Sequence, residues 1–410
     1  MANGNCDVVI VGGGLGGAAL GRALAIHGIR VLIVERETSF KDRVRGEGML
    51  PWGVVEARAL CIDGLLFESG AREIRWWKRY LGSVARDGRD LMATTPGRCG
   101  CLNFYHPSMQ STLLDAAEAA GAEVRRGTAV VAVEPGNAPI VTLRSDKRDE
   151  RVSARLVVGA DGRRSIVRSV AGFVSNQDPA RLVIAGVLHE GLAAPDDAVQ
   201  YFQNPPLGQG ALLFPLGKQR FRSYFVSSTS QRARPISGSQ HVGVFIDACV
   251  ETGMPRDWYA GASVAGPLAA FPGASWVDHP YREGVVLVGD AAATSDPSWC
   301  GLALTLRDVR VLRDCLLATD DWHAAAHAYA QQHDKYYGAL HRVEDWLTRL
   351  MYETGPIADE RRAHAMPHLA KEPSRAPDLQ GLGPETPSDD EARRRFFAED
   401  VGSTAILTRP

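Results

Sequence analysis

Glycines and acids at the ends of apolar runs are the residues of this chain whose types and spacing could do chemistry. Gly12-Gly13-Gly14-Leu15-Gly16-Gly17 follows the run Asp7 to Val11. Gly159-Ala160-Asp161-Gly162-Arg163-Arg164-Ser165 follows Leu156-Val157-Val158, and Gly289-Asp290-Ala291-Ala292 follows Val285-Val286-Leu287-Val288. In each case a β-run ends in glycine and acid and then enters a helix. Such a turn offers backbone N–H groups and one carboxylate to phosphates and sugar hydroxyls. The chemistry this predicts is the capture of a dinucleotide.

The first run is the most complete. Val8, Val9, Ile10 and Val11 show no polar alternation and read as a buried strand. Ala18 to His27 reads as a helix closed by Gly28, and Ile29 to Glu35 as a second strand. Gly12, Gly14 and Gly17 fit G-x-G-x-x-G: the first makes the turn, the second lets a pyrophosphate approach, and the third packs helix on strand. Glu35 falls at about the 20-residue spacing at which an acid binds ribose hydroxyls, with Arg36 beside it as a further contact.

The three motifs in this order resemble the p-hydroxybenzoate hydroxylase type of FAD-dependent aromatic hydroxylase, the class A flavoprotein monooxygenases. The resemblance implies that Asp161-Gly162 lies near the FAD pyrophosphate and also serves NAD(P)H. It implies that Asp290 holds the ribityl chain and that Pro297, seven residues on, lies beside the flavin ring. Arg45 stands where that family has an FAD-contacting arginine, and Gln110 where a glutamine faces the ribityl chain. The chain departs from the pattern in several places. His106 replaces an arginine, Ala293 stands where histidine is common, and Ser298-Trp299-Cys300-Gly301-Leu302 is one residue short and keeps a single clear glycine, Gly301.

By the same resemblance, NAD(P)H reduces the flavin, O2 adds at its C4a position, and the hydroperoxide hydroxylates or epoxidises an electron-rich aromatic or alkene. The cofactor carries the hard step and the protein supplies orientation and dryness. No catalytic acid or base is assigned from the sequence. Trp76, Phe202, Phe214, Tyr224 and Trp299, with Pro297, are the candidate pocket lining. Two other readings stand beside this one: a flavin-dependent reductase of carbon–carbon double bonds, similar to the geranylgeranyl reductases, and a flavoprotein that binds FAD structurally. A flavin-dependent halogenase is disfavoured by the absence of a Gly-Trp-x-Trp-x-Ile-Pro motif. Only one G-x-G-x-x-G is preceded by a strand, so NAD(P)H has no dinucleotide domain of its own.

The elements that must position these residues are spread widely. The expected architecture is α/β: a discontinuous Rossmann-like FAD-binding domain (1–70, 98–180 and 279–370), an antiparallel β-sheet substrate domain (71–97 and 181–278), C-terminal helices, and a Pro- and charge-rich tail (371–410) that wraps the surface or is partly disordered. The 410 residues suffice for two domains, and 45% hydrophobic content is ordinary for globular proteins. A net charge of −2 gives no reason to expect nucleic acid or an anionic membrane. No run of 18 apolar residues exists, and Met1 to Asn5 leads straight into the first strand, so a cytoplasmic protein without a signal peptide is expected. The seven cysteines lack C-x-x-C spacing and read as reduced thiols. His323 and His327 share a helix face, read as solvated, and no metal is expected. The expected partners are a small aromatic or unsaturated substrate and O2, in a monomer or homodimer.

Overall fold

Four consecutive apolar residues, Val8 to Val11, cannot present a polar face, so their strand must be covered on both sides. The computed structural model describes residues 6–146, 148–232, 236–272, 274–295 and 299–401. The elements that matter for the site are, in chain order, β1 (Val8–Val11), α1 (Leu15–Ala25), β2 (Val31–Glu35), β3 (Trp76–Leu81), α2 (His106–Ala119), β4 (Glu123–Arg126), β5 (Leu156–Gly159), α3 (Ile166–Val170), β6 (Leu182–Glu190), β7 (Ala198–Asn204), β8 (Gln209–Gly217), β9 (Arg220–Ser228), α4 (Val242–Thr252), β10 (Val285–Leu287), α5 (Gly301–Leu317) and α6 (Trp322–Met351).

The first sheet runs β10-β5-β1-β2-β4, all parallel, with Tyr281–Arg282 as an antiparallel edge beside β10. Val8, Val9 and Ile10 have no exposed surface. Where α1 leaves β1 only glycine fits at position 17: a Cβ on Gly17 would lie 1.9 Å from the Gly12 carbonyl oxygen.

The second sheet has nine strands, ordered Ser263–Val264, β6, β9, β8, β7, β3, Val84–Ala85, with Ala269–Pro272 also on β6 and Arg89–Asp90 also on β3. It is not wholly antiparallel as expected. β3 pairs parallel with β7, Trp76 opposite Ala198 through Leu81 opposite Gln203. Arg72–Ile74, just upstream, leaves this sheet and pairs with Cys101–Asn103. Both faces of the second sheet are covered. Trp77, Leu212, Phe214, Tyr224 and Val226 join the core shared with the first domain. Phe202, Leu213, Phe221 and Phe225 pack with α4 on the far side.

The tail through residue 401 is ordered against the body. Leu379, Phe396 and Phe397 are buried, Arg89 pairs with Asp378 at 2.6 Å, and Glu385 pairs with Arg307 at 2.6 Å. On the face bearing His323 and His327, His327 is exposed and His323 half-buried, and both have partners: His323 Nδ1 lies 2.6 Å from the Tyr281 hydroxyl and His327 Nδ1 2.9 Å from His279 Nε2. Among the described residues no group of three or more His, Cys, Asp or Glu is placed to hold a metal ion, and no helix is long and apolar enough to cross a membrane. None of the seven cysteines is in a disulfide.

The far-side core holds a titratable group. His189 is 1% exposed, its Nδ1 lies 3.0 Å from Ser223 Oγ, and its Nε2 has no partner among the described residues. Burial, assisted by the nearby Arg222, pulls its pKa down to about 4. The folded chain therefore resists a proton that the unfolded chain accepts near pH 6.5. Stability from this residue is complete above that pH and is lost as the pH falls from about 6.5 to 4, on the order of 3 kcal/mol in all. Thermal melts of wild type and His189→Leu between pH 7.5 and 4.5 check this: the variant loses less Tm on acidification, and parallel curves would refute it.

Candidate cofactor and substrate site

Parallel pairing brings the three motifs together. Val11 lies opposite Gly159 and Gly159 opposite Leu287, so β1, β5 and β10 end in register and their turns emerge at one edge. Helices α1, α3 and α5 start there, the arrangement that in open α/β sheets places ligands beyond the carboxyl ends of the strands. Gly12, Gly14, Asp161, Gly162, Asp290 and Gly301 are all half-buried along that edge.

The glycines shape a cradle. A Cβ on Gly12 (φ +105°) would meet the Ala160 carbonyl oxygen at 2.5 Å. Above Gly14 the nearest group is the Gln110 amide, 3.5 Å from where a Cβ would sit. Space over that glycine, bounded by a carboxamide from α2, fits a pyrophosphate and its attached chain. Glu35 Oε2 accepts a bond from the Gly13 N–H at 2.8 Å and Oε1 one from Glu37 N–H at 2.9 Å. Each oxygen keeps a second lone pair for a sugar hydroxyl. Asp290 lies beside Gly301, with Oδ1 3.8 Å from a Cβ built there.

Charges of both signs line the cleft: Arg36, Arg43, Arg45 and Arg163 lie near Glu37 and Asp290, with Arg43 paired to Glu37 at 2.5 Å. The Arg45 guanidinium reaches to 4.0 Å from a Cβ built on Gly162. Its side chain meets solvent in this recess, yet crowding by protein lowers its pKa; Asp290 opposes the shift, while Arg163, Arg43 and Arg36 push it further down. Arg36 itself is largely exposed, 3.5 Å from Glu37. Arg45, the arginine beside the Gly162 turn, could take the charge of a pyrophosphate there.

Asp161 is placed otherwise than as a simple ligand group. Its Oδ2 accepts bonds from Ile166 N–H at 2.6 Å and Val167 N–H at 3.2 Å, capping α3 together with Ser165. One oxygen is thus committed to the helix start. Oδ1 has no hydrogen-bond partner among the described residues.

The candidate substrate lining divides. Phe214, Tyr224 and Trp299 meet on the face toward the first domain, with ring centroids 5.8 Å apart for Phe214–Tyr224 and 5.5 Å for Tyr224–Trp299. Trp76 and Phe202 do not join them. Trp76 is 36% exposed beneath Arg75, and Phe202 stacks on Tyr80 at 4.1 Å on the far face. Their sequence neighbours take the inner positions: Trp77 lies 6.0 Å from Phe214 and 6.1 Å from Tyr201, whose hydroxyl is 2.8 Å from that of Tyr352. Alternation along a strand explains the exchange, since adjacent residues face opposite ways. Pro297 lies outside the described residues.

Several residues that hold the site were not singled out from the sequence. Arg222, fully buried on β9, bonds Glu47 at 2.5 Å and Asp42 at 2.7 Å, both on the loop that carries Arg45. The Tyr224 hydroxyl also donates to the Arg45 carbonyl. Asp308 accepts the Gly289 N–H at 2.7 Å. The available signal was a charge within an apolar stretch: Arg222 stands in the β9 run, and Asp308 among Leu304, Val309 and Leu312.

A parallel sheet with one dinucleotide cradle, faced by a second sheet, defines a flavin-binding protein of the FAD class. The chain belongs to the FAD binding domain family, whose model matches residues 5–336. It is similar to aklavinone 12-hydroxylase DnrF of Streptomyces peucetius, 27% identical over 320 residues, 71% of this chain and 63% of that one. It is also similar to digeranylgeranylglycerophospholipid reductase of Methanothrix thermoacetophila, 27% identical over 302 residues, 71% of this chain and 72% of that one. The fold matches that of p-nitrophenol 4-monooxygenase PnpA from Pseudomonas putida DLL-E4 with a TM-score of 0.76 at 16% identity, covering 97% of both chains. The chain thus spans a little under two thirds of the hydroxylase it matches.

Two carboxylates carry the expected sugar contacts. Glu35→Ala and Asp290→Ala are each expected to weaken FAD binding by tenfold to a hundredfold, the loss of a bond to a charged acceptor being about 1.5–3 kcal/mol. Fluorescence titration of apoprotein with FAD measures this, and wild-type affinity in both variants would overturn the assignment.

Proposed function

We propose that the protein is an FAD-dependent monooxygenase that uses NAD(P)H and O2 to hydroxylate or epoxidise an electron-rich aromatic or alkene. One juxtaposition carries the reading. Trp299 closes the aromatic face of the second sheet, and two residues later Gly301 lies against Asp290 at the cofactor edge. An apolar aromatic wall therefore adjoins the place where Asp290 would hold the ribityl chain. The hydroxylase similarity supports the same reaction class.

Bound FAD would supply the redox chemistry, accepting electrons from NAD(P)H and activating O2. The chain's own residues bind, orient and keep water out. Glu35 and Asp290 take sugar-type hydroxyls, the N–H groups of the Gly12–Gly17 turn and Arg45 take phosphate charge, and Gln110 bounds the chain between them. Tyr201 and Trp299, half-buried at the edge of the packed Trp77, Phe214 and Tyr224 cluster, would meet a flat apolar substrate. With a single dinucleotide cradle, NAD(P)H docks on surface shared with FAD. Asp161 serves that docking by holding the start of α3 through Oδ2.

A second reading, reduction of carbon–carbon double bonds, is favoured by the reductase similarity, since the chain spans 72% of that protein. Isotope-labelled O2 separates the two. Slow NAD(P)H oxidation alone, acceleration by the substrate and one labelled oxygen in the product are expected; product that never carries label would leave the reductase reading. Activated oxygen is wasted as peroxide when water enters a reacting pocket. Trp299→Ala, which opens the wall, is accordingly expected to release more peroxide per NAD(P)H consumed, and equal release from wild type would reduce Trp299 to core packing.

A further inference from the structure

Asp308 is an anomaly of α5. Its neighbours Leu304, Leu306, Val309 and Leu312 are buried as the apolar face of the helix requires, and Asp308 is equally inaccessible, with no exposed surface. A carboxylate in such a place is costly unless its oxygens are bonded. Both are. Oδ2 accepts the Gly289 N–H at 2.7 Å and Oδ1 accepts the Tyr336 hydroxyl at 2.5 Å. The groups around it from the packed elements are Arg307 on its own helix, and Tyr329, His333 and Tyr336 on α6. Arg307 is engaged with Glu56 and Glu385, and His333 is buried with neither ring nitrogen hydrogen-bonded among the described residues.

The target of that carboxylate is the glycine of the third motif. Gly289 has φ +61°, and a Cβ there would come within 2.8 Å of Thr305 Oγ1, so α5 presses directly on the turn. The preceding residues are pinned as well: Val288 N–H donates to the Gly159 carbonyl at 3.0 Å, and the Tyr329 hydroxyl donates to the Leu287 carbonyl at 2.8 Å. The peptide between Val288 and Gly289 is thus oriented by Asp308, and the next side chain along is Asp290.

We propose that Asp308 is a positioning residue for the cofactor site: by holding the Gly289 N–H it sets the turn that aims Asp290 at the sugar-type chain of FAD. The proposal rests on the reading of Asp290 given above. Removing the carboxylate leaves the Gly289 N–H and the Tyr336 hydroxyl without their acceptor in a dry interior, and the turn is free to rotate Asp290 away. An amide at the same position can do the same work, since its oxygen accepts from Gly289 and its NH2 donates to the Tyr336 oxygen.

The test is FAD titration of the apoprotein, with apoprotein melting as a separate reading of the fold. Asp308→Leu is expected to weaken FAD binding at least about tenfold, and Asp308→Asn to stay within about threefold of wild type. Asp308→Ser, too short to reach Gly289 but easier to accommodate, is expected to behave like Asp308→Leu. Because Asp308 acts through Asp290, Asp308→Ser added to Asp290→Ala is expected to cause no further loss. Folded Asp308→Ser with wild-type FAD affinity, beside a weakened Asp290→Ala, overturns the role of Asp308 alone; so does a double variant whose losses add in full. Wild-type affinity in Asp290→Ala overturns the Asp290 assignment, and with it the route from Asp308 to the cofactor.

Discussion

Three strands must end level for this site to exist. The parallel ladder pairs Val11 with Gly159 and Gly159 with Leu287. Parallel strands require long crossovers; here the chain between β1 and β5 holds two three-stranded sheets, and that between β5 and β10 holds six of the nine strands of the second sheet. Nothing local obliges segments so far apart to finish at the same height. What obliges them is burial: strands with no polar face must lie inside, and a slip in register would leave backbone groups unpaired there. The contacts proposed for the three motifs follow from that alignment, because each motif is the next turn of chain after one of these strands; Glu35, Arg45 and Gln110 come to the same edge from β2, the loop after it and α2.

The join between the two sheets is made differently, by charge and by aromatic packing. Arg222 reaches from β9 to Glu47 and Asp42, and Glu47 also accepts the His106 N–H at 3.1 Å. Buried charges stabilise only when mutually bonded, and removing one partner is costly. This group therefore ties the loop that carries Arg45 to the second sheet. Beside it, Phe214 packs so closely on Gly48 that a Cβ there would sit 2.3 Å from the ring. The Arg45 edge of the cleft and the aromatic wall are held as one piece.

Asp161 and Asp308 show how one side-chain chemistry divides between holding the backbone and meeting a ligand. The first belongs to a motif that reads as ligand-binding, yet one of its oxygens caps α3. The second lies outside every motif, yet holds the glycine from which a motif begins. In both, a carboxylate satisfies N–H groups that a sharp turn leaves without partners, a need as strict as that of the cofactor.

The sequence by itself determined the three motif turns, the strands before them and the helices after the first two, together with the FAD class of the fold; the third turn is a single 3-10 turn, and its helix starts only at Gly301. These features are local: an uninterrupted apolar run, a glycine where no side chain fits, an acid at a strand end. The tertiary structure alone decided which aromatics face the cofactor domain. Trp76 and Trp77 are adjacent and chemically alike, and so are the faces bearing Tyr201 and Phe202; the second sheet is covered on both sides, so alternation marks two faces without saying which is inner. It also decided the parallel pairing of β3 with β7, which joins segments more than a hundred residues apart, and the bonds of Asp308 to Gly289 and Arg222 to Glu47. A periodic pattern records that a residue is buried, whereas its partner is chosen only when distant segments pack, and that choice leaves no trace in the spacing of either one.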